Sequence, residues 1–131
     1  MKKIFTLVAV LISAATFWSC DDNIEELPIL APKANPVIEA PATSGNYVLN
    51  FTEKDKLAER LIWSKANFTV DTEVTYTVEI DLNGRKFAKV KSLGSTKTTN
   101  LGFTVGALNT IITDGLLLAP FTPHNLQVRV K

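Results

Sequence analysis

The stretch VTYTVEIDLNG, Val74 to Gly84, decides the fold class. Val74, Tyr76, Val78 and Ile80 alternate with Thr75, Thr77, Glu79 and Asp81. A period of two turns one face of an extended chain toward a core and the other toward water, so the segment reads as a half-buried strand. Asn83 and Gly84 follow. Asn-Gly readily takes positive φ at both central turn positions, which predicts a tight hairpin returning through Arg85 to Lys91. The returning run RKFAKVK places Lys86, Ala88 and Val90 on one face and Arg85, Phe87, Lys89 and Lys91 on the other. Four cations in seven residues would suit an anion site. An edge strand whose lysines discourage pairing with other chains explains them better.

Working outward, the same alternation recurs. Asn100 to Val105 turns Leu101, Phe103 and Val105 inward, and Asn125 to Lys131 turns Leu126, Val128 and Val130 inward with Gln127, Arg129 and Lys131 outward. Tyr47 to Phe51 is another strand candidate, and Pro36 to Pro41 leads into a first short strand. Between Thr52 and Trp63 two readings compete. Thr52 could cap a helix over EKDKLAERLIW, or a polar loop over Glu53 to Lys56 could precede a strand over Glu59 to Ser64 with Leu61 and Trp63 inward. The strand is preferred, because its neighbours need a partner. Gly106 to Pro123 reads as a long connection with a helical turn. Short strands separated by turn signals point to an all-β sandwich of about residues 36–131, without internal repeats.

Composition limits the chemistry. The 131 residues carry 46% hydrophobic and 21% charged side chains, enough for one domain. Fourteen basic against thirteen acidic residues leave a net charge of +1, too little to grip nucleic acid. One cysteine makes no internal disulfide, and with one histidine it completes no tetrahedral zinc site unaided. No cofactor is expected.

The first twenty residues read as an address. Lys2 and Lys3 precede a twelve-residue apolar run from Ile4 to Ala15, too short to span a bilayer, and Ser19 stands before the only cysteine, Cys20. This resembles a bacterial lipoprotein signal: residues 1–19 are removed, and acyl chains on Cys20 hold the protein to a membrane. Phe17 and Trp18 are bulkier than the usual residues there, which leaves ordinary signal-peptidase cleavage nearby as the alternative. Loss of Lys2 and Lys3 leaves twelve basic side chains, so the mature chain is nearly neutral. Residues 20–35 form a tether: an acidic start, DDNIEE, and then LPILAPKAN, with two prolines and no periodicity. The acidic start resembles an export tag for the outer face of the outer membrane, or else is a solvated leader.

Candidate sites are few. Glu79 and Asp81, two apart on one strand face and so about 7 Å apart, have a spacing compatible with a glycosidase pair, yet equally with two solvated residues. No aromatic neighbours share their face, so an enzymatic role is not expected. DLNG opens like a calcium loop, but the later ligands and closing glutamate are missing, and it reads as a turn. His124 joins no recognisable triad. Among the aromatics that could stack on a sugar, Trp63 and Tyr76 alternate with polar neighbours and read as core, which leaves Tyr47.

The order of pieces, with LAP in the leader, a strand ending Leu61-Ile62-Trp63, then VTYTVEIDLNG, FAKVKSLGS and LGFTVGALNTII, resembles the amino-terminal immunoglobulin-like domain of the SusE and SusF family over nearly all of residues 20–131. The resemblance implies a non-catalytic lipoprotein of the outer membrane surface that retains starch or related oligosaccharides beside other glycan-uptake proteins. In that family the sugar contacts belong to later modules and the first domain is a spacer, so no ligand-binding residue carries over. It also implies a seven-stranded immunoglobulin or fibronectin III-like sandwich in which Leu126 to Lys131 is the sixth strand, truncated before the last, with His124 where relatives carry a corner tyrosine. Two alternatives remain: a structural adhesin or pilus-type lipoprotein exchanging strands at its open edge, and an accessory domain of a glycosidase.

Overall fold

A computed structural model describes residues 29–41 and 45–131. Cys20, the signal read over residues 1–19 and the acidic start lie outside the described residues. The chain forms β1 (Pro32–Ala34), β2 (Ile38–Ala40), a 3-10 turn (Phe51–Glu53), β3 (Leu57–Trp63), β4 (Asn67–Phe68), β5 (Tyr76–Leu82), β6 (Lys91–Thr96) and β7 (Asn100–Thr104). Helix α1 (Val105–Thr110), a wider π-helical turn (Ile111–Gly115) and β8 (Leu126–Val130) complete it.

Two antiparallel three-stranded sheets, β2-β3-β7 and β6-β5-β8, form the sandwich, and β1 pairs with β4 beside them. Each sheet contributes its alternating apolar residues to the space between. Leu61 and Trp63 from β3, with Leu101 and Phe103 from β7, meet Tyr76 and Val78 from β5 and Val128 and Val130 from β8. The rings of Trp63 and Tyr76 touch edge to face at 5.6 Å between centroids, a favoured aromatic geometry. Tyr76 also accepts the buried Ala66 N–H on its hydroxyl at 3.0 Å. The fold is thus the all-β sandwich that the alternation predicts, and Thr52 to Trp63 resolves as loop and strand, not helix.

Three local expectations fail. The hairpin from β5 does not return through Arg85: residues 83–90 form a loop, and β6 begins at Lys91, opposite Ile80. Gly84 takes φ +89°, as the turn requires, but Lys86 and Phe87 are also left-handed, which no strand tolerates. RKFAKVK is therefore no edge strand, although β6 behind it is an edge. Tyr47 to Phe51 is not a strand either. Asn50 takes the Thr52 N–H on its side chain at 3.1 Å and starts the 3-10 turn instead. Asp81, assigned to the solvent face, is completely buried.

At the end of the leader β1 pairs with β4, and just before it Thr69 donates its N–H to Ala31 and accepts the Ala31 N–H on its hydroxyl, both at 3.0 Å. In the long connection, Thr104 caps α1 by accepting the Ala107 N–H at 3.2 Å. Val105 and Leu108 seat that helix on the end of the sandwich. His124, the corner position, bonds the Ala119 carbonyl at 2.8 Å.

Candidate functional site

The sequence nominated Tyr47 as its exposed aromatic, and the structure keeps it half-exposed but engaged. Its hydroxyl donates to Glu59 Oε2 at 2.5 Å. That bond, reinforced by partial burial and by the Glu59 charge, pushes the phenol up to about 12. The same bond, with the Arg60 N–H on the other oxygen, holds Glu59 below the usual carboxylate range. Val48, Phe51 and Leu57 are exposed in the same stretch, and the Lys54 ammonium sits 5.6 Å from the Phe51 ring. Trp63 and Tyr76, at 1% and 2% exposure, are buried in the core and offer no ring to a ligand.

The two carboxylates that might have worked together are separated in role. Glu79 receives Arg129 Nε at 2.7 Å. Asp81 takes the N–H of Leu82 at 2.7 Å on one oxygen and the N–H of Lys89 at 3.1 Å on the other, with Arg85 Nη1 3.8 Å away. A buried carboxylate needs such donors, since an unpaired charge away from water is costly. Asp81 thus fixes the β5–β6 loop from beneath. Phe87 clasps the same loop to the sheet by lying under the Arg129 guanidinium, 4.5 Å from its ring centroid. Alternation alone could not reveal this, because it counts Asp81 as a solvent-facing strand residue. The hint available was Asp81 and Arg85 four residues apart around Asn-Gly.

Held this way, the loop and the first residue of β6 bring Arg85, Lys89, Val90 and Lys91 along one side of a groove of about 400 Å³. Gly115, Leu116 and Leu117, at the end of the helical connection, line the other side. Leu116 is buried and Leu117 stands exposed at the rim. The Lys91 stem packs on Gly115, where a Cβ would lie 3.2 Å from Lys91 Cγ. Three of the four cations that the sequence put on an edge strand therefore converge on a concave surface.

A family model described as SusE outer membrane protein matches residues 22–131. No curated protein and no solved structure gives a significant match.

Proposed function

We propose, for a chain that belongs to the SusE outer membrane protein family, the role of a non-catalytic surface lipoprotein of a starch or malto-oligosaccharide uptake system. Cys20 carries the lipid anchor, residues 20–35 lead away from the membrane, and the sandwich is the membrane-proximal spacer. Contact with starch is made by modules that follow Lys131, and the neighbours are other glycan-uptake proteins of the outer membrane.

The observation that carries this reading is the family match over residues 22–131. The side chains agree with it. Trp63 and Tyr76 are spent between the sheets, the half-exposed Tyr47 is tied through its hydroxyl to Glu59, and Glu79 and Asp81 are committed to Arg129 and to the loop backbone. Neither carboxylate is left facing a cleft with its partner, as acid and base of a glycosidase must be. The test is retention on insoluble starch. The mature chain stays in the supernatant, whereas a longer protein with its downstream modules is retained. Retention of the chain by itself overturns the spacer role.

A further inference from the structure

We infer that the groove between the β5–β6 loop and the end of the helical connection binds an acidic saccharide, a sugar bearing a carboxylate or sulfate group. This goes beyond the spacer reading, which concerns neutral glucans.

Charge supplies the first argument. Arg85, Lys89 and Lys91 line the groove. Among the described residues the ion pairs engage neither Lys89 nor Lys91, and Arg85 reaches only Asp81, at 3.8 Å. Asp81 is buried with each of its oxygens already taking a backbone N–H. Asp114, next to Gly115, accepts the Thr113 hydroxyl and is not part of the lining. The groove therefore has an excess of positive charge and ammonium donors to spare, which suits charge-assisted hydrogen bonds to an anion.

Shape supplies the second. Small-ligand sites are concave, with apolar walls and a few fixed polar groups, and 400 Å³ lies in their usual range. Val90, Leu116 and Leu117 give the apolar wall against which a sugar C–H face can lie. The loop is also preorganised, since Asp81 and Arg129 hold it from two sides.

Position supplies the third. Ser64 N–H reaches the Val37 carbonyl at 2.9 Å, and the neighbouring Trp63 ring meets that of Tyr76, so the leader joins the sandwich near the start of β5. The groove lies past the other end of β5, about 20 Å away along seven residues. The groove therefore sits at the end of the sandwich opposite the one that the leader joins.

The test is a nuclear magnetic resonance titration of the mature chain at low ionic strength with trigalacturonate, a sulfated disaccharide, maltotriose and inorganic sulfate. Amide shifts at Lys89–Lys91 and Gly115–Leu117 saturate with at least one acidic sugar and not with maltotriose. Lys89→Ala and Lys91→Ala each weaken binding about tenfold, Lys86→Ala leaves it unchanged, and Leu117→Asp, which adds a negative charge at the rim, abolishes it. Unchanged unfolding midpoints show that these exposed-site variants remain folded. The inference is overturned by the absence of saturable shifts with both acidic sugars, by equal binding of inorganic sulfate, or by an equal loss in Lys86→Ala. Binding to starch tests the spacer reading separately, so either can fail without the other.

Discussion

Asp81, on β5, lies wholly beneath the loop that follows its strand, with one carboxylate oxygen 3.1 Å from the backbone nitrogen of Lys89 and the other 2.7 Å from that of Leu82. The β5–β6 turn is thus shaped by a contact from β5 to the far side of the loop and not by Asn83-Gly84 alone. Removing a buried acceptor leaves its donors unpaired, so Asp81→Ala destabilises the chain by about 2–3 kcal/mol, measured by urea unfolding. Asp81→Asn, which keeps one carbonyl oxygen, loses less. Equal unfolding midpoints for all three chains would contradict the anchoring role.

The Tyr47–Glu59 bond makes stability depend on pH at both ends. Glu59 titrates below its ordinary range when folded, so its contribution is present above the unfolded carboxylate value and is lost as pH falls through the folded one. Tyr47 is raised from 10.0 to about 12, so its contribution is complete below pH 10 and is lost as pH climbs toward about 12. In a Tyr76→Phe background, alkaline titration of phenolate absorbance shows Tyr47 ionising near 12. Glu59→Gln brings that midpoint back toward 10. A midpoint near 10 with Glu59 intact would show that the bond does not persist in solution.

At the centre of the core, Trp63 and Tyr76 contribute in different ways. Trp63→Ala deletes a side chain at 1% exposure and costs about 3–5 kcal/mol in chemical unfolding. Among the described residues the indole N–H has no hydrogen-bond partner, so it is the packing of the ring that this substitution removes. Tyr76→Phe keeps the ring and strips the Ala66 N–H of its acceptor, at a cost of about 1 kcal/mol or slightly more. A larger loss from Tyr76→Phe than from Trp63→Ala would reverse this account.

On the outer face of the β6-β5-β8 sheet, Arg129 joins Glu79 at 2.7 Å to Phe87 at 4.5 Å. The Arg129 side chain is 41% exposed, so water and salt screen the pair. A double-mutant cycle on Glu79 and Arg129 gives a coupling below about 1 kcal/mol that shrinks further in salt. A coupling of several kcal/mol, insensitive to salt, would mean the pair is effectively buried.

The legible parts of the fold were those where one face is buried continuously. Tyr76, Val78 and Ile80, then Leu61 and Trp63, then Val128 and Val130, show their faces as alternation because each strand lies against the opposing sheet. β6 carried no such signal. KSLGST has little alternation, and Gly94, opposite Val78 near a register shift, sits where a Cβ would come within 3.2 Å of Leu101 Cδ2. The more regular RKFAKVK upstream drew the strand assignment away from it. The groove was hidden for the same reason. Its cations alternate like an edge strand, and only the contacts of Asp81 and Arg129 turn them to one side of a loop. Tyr47 is the aromatic that alternation leaves open, but its bond to Glu59 joins residues twelve apart, which no local pattern records.

Attachment to the outer membrane through one sulfur atom, as proposed for Cys20, is tested by fractionating cells that express the chain with Cys20 intact or replaced in Cys20→Ser. The intact chain sediments with the outer membrane, and the variant, lacking the thiol that accepts the lipid, is recovered in the soluble fraction. Equal recovery of both chains in the membrane fraction would contradict it.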